Sequence, residues 1–291
     1  MLSRRQALAG AGALGLSCAI PVGAAAQLRI TTQTGRAVEV TQWLPRSRPI
    51  GQILFSHGAG SAPWFYDALL GPMVAAGWHV LAPLHVDSRL HPDVAKFSGL
   101  ASWRARLEDF AALTDHIGHR PYVAVGHSYG ALTALVMGGA QSVPPAGWSG
   151  PQTDGQARAV VAFSPPAALP MLITIDGYAK LAVPALIETG TGDIVPGMTA
   201  GGEGWKVHLD AYTAAAPGGH RYGLVLDGVN HYFGGLICDP KQPGPPQVAG
   251  MVDANRIAGL FLRGFGQSDG AAKAELDAAV TGQLPVRMFT K

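Results

Sequence analysis

The sequence predicts an α/β fold, with a mostly parallel sheet of eight strands and helices on both faces. Three observations carry this expectation. Short apolar runs recur at residues 50–56, 78–84, 122–125, 159–163, 184–189 and 222–226, and runs that are apolar throughout suit strands buried on both faces. Helical patterns separate several of them, as a parallel sheet requires. The chain left after an N-terminal leader is about 265 residues, which suits one α/β domain, and no internal repeat points to a second.

The leader comes first. Met1-Leu2-Ser3-Arg4-Arg5-Gln6 is a short basic start, an apolar run follows to Ile20, and Ala24-Ala25-Ala26 offers a small-residue cleavage site. This pattern predicts an export signal over residues 1–26, with Ser3-Arg4-Arg5 resembling the twin-arginine type, and a single domain over 27–291. The apolar run is too short and too weakly hydrophobic for a good span. The expected location is therefore periplasmic or secreted, with no stable membrane anchor after cleavage. Of 21 basic residues, two leave with the leader, and the remaining 19 balance 19 acidic ones. A net charge of zero argues against nucleic acid as a partner. Of the two cysteines, Cys18 belongs to the leader, so the mature chain has no internal disulfide, and Cys238 reads as a buried filler.

Residues 28–32 and 37–44 flank Thr34-Gly35-Arg36 and read as an antiparallel pair at the sheet edge. The strand at 50–56 runs into His57-Gly58-Ala59-Gly60-Ser61, a small-residue loop able to present N–H groups to an oxyanion. The candidate donor is the Ala59 backbone N–H. Trp64 and Phe65 follow, and with Tyr232 they are candidates for a pocket wall; helix packing accounts for the aromatic run equally well. A helix is expected over 66–76, stopped by Gly77. After the strand at 78–84, His85, Asp87, His91 and Asp93 are spaced H-x-D-x3-H-x-D. Nothing in the sequence makes them converge, so they read as a solvated, hydrogen-bonded loop, and no metal is expected.

Residues 102–117 are amphipathic. Trp103, Leu107, Phe110, Leu113 and Ile117 share one face, with Arg104, Arg106, Glu108, Asp109 and Asp115 mostly off it. Ser102 is the expected N-cap and Gly118 the stop.

The next stretch organises the rest. The strand ending at Val125 runs into Gly126-His127-Ser128-Tyr129-Gly130, followed by small and apolar residues to Ala140. This is a strand, a sharp turn with G-x-S-x-G, and a helix. Such a turn lifts the Ser128 hydroxyl above the sheet and sets it at a helix N-terminus, where free N–H groups favour negative charge. The Tyr129 N–H is the second candidate oxyanion donor. His127 is expected to project away from the site and to be structural.

Residues 141–156 form a Pro/Gly-rich loop. Only about twenty residues separate the strands at 159–163 and 184–189, which leaves no room for a large cap. Glu188-Thr189-Gly190-Thr191-Gly192-Asp193 ends a strand in a glycine-flanked turn bearing one acid. Asp227-Gly228-Val229-Asn230-His231 does the same with a histidine after the last expected strand. Asp227 is the rival acid, but it sits four residues from His231 in one turn. Residues 247–265 read as a long helix with Ala254, Ile257, Ala258, Phe261 and Phe265 on one face. A peripheral helix is expected over 268–280, and the tail from Thr281 carries no reading.

Ser128, Asp193 and His231, in that order on successive strand ends, resemble the α/β-hydrolase superfamily. The Phe55-Ser56-His57-Gly58-Ala59-Gly60 loop and the Ala82-Pro83-Leu84-His85-Val86-Asp87-Ser88 stretch are most similar to exported dienelactone-hydrolase-like and platelet-activating-factor-acetylhydrolase-like esterases. The resemblance implies a serine esterase with Ser128 as nucleophile, His231 as base and Asp193 as its acid. It implies no cofactor and a small-molecule ester as substrate. Authentic dienelactone hydrolases use cysteine where this chain has Ser128, which favours general ester hydrolysis over lactone specificity. A peptidase, a non-hydrolytic enzyme on the same triad, and a silent binding protein remain open alternatives.

Overall fold

The computed structural model describes residues 25–195 and 202–291. The leader up to residue 24 therefore lies outside the described residues. One sheet of nine strands runs through the domain in the order β1-β2-β4-β3-β5-β6-β7-β8-β9. The strands are β1 Ala25–Thr31, β2 Ala37–Trp43, β3 Gly51–Ser56, β4 Trp78–Pro83, β5 Tyr122–His127, β6 Ala157–Phe163, β7 Ala185–Gly190, β8 Arg221–Leu226 and β9 Val286–Thr290. Strands β3 to β8 pair in parallel, and β1, β2 and β9 join antiparallel at the two edges.

The count is nine rather than eight because the tail adds a strand. Met288 of β9 is buried against Leu224, its partner on β8. Only two of the five β9 residues, Val286 and Met288, contribute apolar side chains to that core, too few to stand out as a strand pattern. Ala25 and Ala26 already pair with Trp43 and Gln42, so cleavage before Gln27 would shorten β1 by two residues.

Seven α-helices cover the sheet among the described residues: α1 Asp67–Ala75, α2 Leu100–His116, α3 Tyr129–Met137, α4 Ile175–Tyr178, α5 Asp210–Ala214, α6 Val248–Phe261 and α7 Gly270–Ala278. Alternate strand residues feed two cores, because successive side chains leave a strand on opposite faces. Ile53, Phe55, Val123 and Val125 pack with Leu69 and Leu70 of α1 and with Ala254, Ile257 and Phe261 of α6. Leu54, Leu81 and Ala124 pack on the other face with Leu107 and Phe110 of α2 and Leu132 and Leu135 of α3. Between β6 and β7 the only helix is α4, of four residues, so no large cap covers the strand ends.

Helix α2 departs from expectation in two ways. Its N-cap is Gly99 at φ 58°, and Ser102 instead donates its hydroxyl to the Gly99 carbonyl at 2.8 Å. More consequentially, Arg106 and Asp109, expected mostly off the apolar face, are both fully buried. Charged side chains are almost never buried without partners, and the partners lie across the chain, where helical periodicity cannot register them.

Candidate active site

The elbow forms as the sequence predicts. Ser128 has φ 55° and ψ −123°, a conformation rare for a residue with a side chain. It is held from both sides: its N–H donates to Phe163 O at 2.8 Å, and its carbonyl accepts from Ala131 N at 2.8 Å. A Cβ at Gly126 would strike the Gly130 backbone, and a Cβ at Gly130 would strike the Ser56 carbonyl. The two glycines therefore let α3 fold back onto β5 and β3. Ser128 is half-buried, and the Tyr129 N–H that follows is one of the first four of α3, which have no partner within the helix.

Asp193 and His231 come together at the same strand ends. His231 Nδ1 donates to Asp193 Oδ1 at 2.8 Å, and Thr189 Oγ1 donates to Asp193 Oδ2 at 3.0 Å. The loops that carry them interlock: Gly192 N donates to Val229 O at 2.9 Å, and a Cβ at Gly190 would strike that same carbonyl. The rival Asp227 faces solvent and accepts from Thr191 Oγ1 at 3.0 Å. Burial alone would raise the Asp193 carboxyl; the hydrogen bonds and charges of His208 and His231 outweigh it and hold it far below the usual carboxylate range. Nδ1 of His231 is thus committed as a donor, which leaves the Nε2 lone pair as the basic site.

His127 does more than pack beside the serine. Its Nε2 donates to the His231 carbonyl at 2.8 Å, and its Nδ1 accepts from the Tyr66 hydroxyl at 3.0 Å. Tyr66 in turn accepts from the Gly58 N–H at 2.8 Å. Burial, reinforced by the His231 charge, keeps His127 neutral, as this donor–acceptor sequence demands. The chain Gly58–Tyr66–His127–His231 ties the loop after β3 to the His231 backbone, and the His127 and His231 rings lie 4.7 Å apart.

The loop is pinned from below as well. Arg106 gives Nη1 to the His57 carbonyl at 2.8 Å and to Ser56 Oγ at 3.0 Å, while Nε and Nη2 form a fork on Asp87 at 2.9 and 2.8 Å. Burial would raise the Asp87 carboxyl, but Arg106 outweighs it and holds the group below its usual range. The guanidinium also lies 4.5 Å from the centre of the Tyr129 ring. His57 Nδ1 donates to the Gly58 carbonyl at 2.8 Å. With the Gly58 N–H already taken by Tyr66, the exposed Ala59 N–H is the next donor along the loop.

The loop after β4, expected to be solvated, is buried in its first residues and mostly exposed from Arg89 onward. His85 is fully buried, with Nε2 on Ser56 Oγ at 2.8 Å and Nδ1 on Asp109 Oδ2 at 2.6 Å. Asp87 is spent on Arg106. His91 accepts from the Asp93 N–H at 3.1 Å, and Asp93 pairs with Lys96 at 2.7 Å. The four residues do not converge on a common centre. Among the described residues the cluster with metal-ligand chemistry is instead Asp193, His208 and His231, with donor atoms within 4.8 Å of one another.

Of the aromatic pocket candidates, Tyr232 lies 5.1 Å from the His231 ring, edge to face. Phe65 packs against the core on the α1 and α6 face of the sheet, and Trp64 is 41 % exposed, 6.1 Å from Phe65. Cys238 is buried, and burial raises its thiol, consistent with a filler. A cleft of about 640 Å³ lined by Gly51, Trp78 and Tyr122 opens at the opposite end of the strands, where β3, β4 and β5 begin.

Sequence reading missed Arg106, Asp109, Tyr66 and His208. Only their tertiary partners distinguish them, and no local pattern around them carried a signal.

No family model and no curated protein matches the sequence. Solved structures do match in fold. An esterase from the fungus Rhizomucor miehei has a TM-score of 0.61 at 14 % identity, covering 88 % of this chain and 86 % of its own. An esterase from Pyrococcus furiosus has a TM-score of 0.57 at 16 % identity, over 84 % and 94 %. A putative dienelactone hydrolase from Klebsiella pneumoniae has 0.56 at 12 %, over 84 % and 98 %. The chain has the α/β-hydrolase fold.

Proposed function

We propose that the protein is a serine hydrolase acting on carboxylic esters. The observation that carries this reading is the buried Asp193–His231 pair at 2.8 Å, whose histidine backbone is hydrogen-bonded by His127, the residue just before a serine in a strained strand-to-helix elbow. Ser128 Oγ attacks the ester carbonyl as His231 Nε2 takes its proton. The tetrahedral oxyanion accepts hydrogen bonds from the Ala59 and Tyr129 N–H groups, each worth roughly 3 kcal/mol in comparable sites. Collapse expels the alcohol, which receives the proton from His231, and leaves Ser128 acylated. Water, deprotonated by His231, then releases the acid and restores the hydroxyl. Asp193 fixes the tautomer throughout. The short β6–β7 connection gives an open site, with Trp64, Phe65 and Tyr232 offering apolar surface to the substrate. We further propose export to the periplasm or medium on the strength of the leader; a fusion lacking residues 1–26 should stay inside the cell.

The test is hydrolysis of p-nitrophenyl esters from acetate to long acyl chains, by the wild type and Ser128→Ala. Activity that disappears in the variant supports the reading, and the chain-length optimum sizes the acyl site. Absence of activity on every ester, with labelling of Ser128 by a fluorophosphonate probe, would move the assignment to a peptidase or a non-hydrolytic enzyme. Absence of both would indicate a silent binding protein.

A further inference from the structure

Two histidines address Asp193, and the triad needs only one. His208 closes the 3-10 segment Gly204–Leu209 and is 1 % exposed. Its Nδ1 lies 2.6 Å from the Pro165 carbonyl oxygen. A carbonyl only accepts, so Nδ1 carries hydrogen. Its Nε2 lies 3.2 Å from Asp193 Oδ1, and an ionised carboxylate also only accepts. That nitrogen has no hydrogen-bond partner, and in a neutral ring its lone pair would lie beside an anionic oxygen in a buried setting, where such a mismatch is most costly. Protonation of both nitrogens removes it.

We propose that His208 is an imidazolium at neutral pH and a positioning residue for the triad: it shares Asp193 Oδ1 with His231 and opposes a second positive charge on the His231 ring. This rests on the triad reading above. Burial would strip His208 of its proton, but the hydrogen bond and charge of Asp193, with the Pro165 carbonyl, outweigh burial and raise its proton affinity.

The other titratable groups around the pair do not duplicate this role. On the same segment Lys206 pairs with Glu203 at 2.6 Å, and Asp210 accepts from the Ala168 N–H at 2.9 Å. On β7, Glu188 is fully buried, and desolvation, then the Asp193 charge, raises its carboxyl well above the usual range, which keeps it neutral. On β5, His127 is neutral. After β8, Asp227 is held by Thr191. Residues 196–201 carry no titratable side chain. Among these groups, His208 is the buried cation that bears on His231, ring centre to ring centre at 5.8 Å.

Two unit charges at that separation shift a titration by about half a pH unit at the dielectric constant of water, and by about two units at an effective value near 20. The experiment is kcat/KM for p-nitrophenyl butyrate against pH, for wild type and His208→Gln, which keeps an N–H donor and removes the charge. The acid limb of the variant should move up by about half to two pH units. A lower kcat at every pH with the limb unmoved would mark a purely structural role and overturn the proposal. The second arm is nitrogen-15 NMR of the histidine side chains in the intact wild-type protein. Both His208 nitrogens should be protonated at pH 7; a single protonated nitrogen would overturn the proposal. This arm needs neither activity nor a folded variant. Failure of the ester reading, seen with Ser128→Ala, therefore stays distinct from failure of this one.

Discussion

One closed Ser–His–Asp series lies in the interior of the fold, and it contrasts with the triad proposed at the strand ends. Ser56, His85 and Asp109 form an unbroken hydrogen-bonded series, at 2.8 Å from Ser56 Oγ to His85 Nε2 and 2.6 Å from His85 Nδ1 to Asp109 Oδ2. Ser128, Asp193 and His231 make up the proposed one, in which His231 Nδ1 and Asp193 Oδ1 lie 2.8 Å apart. In the first, Ser56 lies inside β3, is fully buried, and has its oxygen occupied by Arg106 Nη1 at 3.0 Å. In the second, the serine sits half-buried on a strained elbow at the start of α3. The difference teaches that connectivity does not make a nucleophile. Access, an elbow that presents the hydroxyl, and unpartnered N–H groups to receive the oxyanion are the further requirements. The inner set works as a brace, since it seats Arg106 under the loop that carries Ala59.

The cation beside each aspartate differs as well. Asp109 pairs with Arg36 at 2.6 Å, and burial, opposed first by Arg36, pushes its carboxyl up to about 6. Asp193 has His208, whose charge can be titrated away. A guanidinium stays charged at any working pH. The brace is thus insensitive to loss of its cation, whereas the candidate active site is not.

The largest expected effect separates the serines. Ser128→Ala should lower turnover by at least ~10⁴-fold with the melting temperature unchanged. Ser56→Ala should keep turnover within about tenfold while losing about 1–3 kcal/mol of stability, because His85 Nε2 loses its buried donor. Equal activity losses in the two variants, with both melting normally, would break the distinction. The acids come next. Asp193→Asn should cost about 10⁴-fold in kcat through the wrong imidazole tautomer. Asp109→Asn should appear in denaturant titrations as a loss of about 1–3 kcal/mol, since it breaks the buried pair with Arg36 while Glu108 still faces that guanidinium at 3.4 Å. Asp227→Asn should change neither, and a larger kcat loss there than at Asp193 would transfer the acid role.

Tyr66→Phe probes the link between loop and base. It strands the Gly58 N–H and the His127 Nδ1, so stability should fall by about 1–3 kcal/mol, with kcat reduced more than KM is raised. The smallest effect concerns pH. His208 binds its proton more tightly in the fold, so the stabilisation it adds is complete below the ordinary histidine range near 6.5 and is lost as pH rises through the raised value. The stability gap between wild type and His208→Gln should accordingly be widest near pH 6 and narrow in alkaline solution. A gap that widened with pH would contradict a charged His208.

The sequence by itself determined the strand–elbow–helix around Ser128, the order Ser128, Asp193, His231, and the parallel sheet, because those features are written in local periodicity, glycine placement and turn chemistry. The same local logic found α6, whose Ala254, Ile257, Ala258 and Phe261 are all fully buried. Tertiary structure alone decided the rest. Arg106 and Asp109 look like surface charges on α2 until β3, the loop after β4 and Arg36 close around them. His208 is one histidine among ten until Pro165 and Asp193 meet its two nitrogens. A buried polar group takes its role from the atoms that replace water around it, and those atoms come from distant parts of the chain.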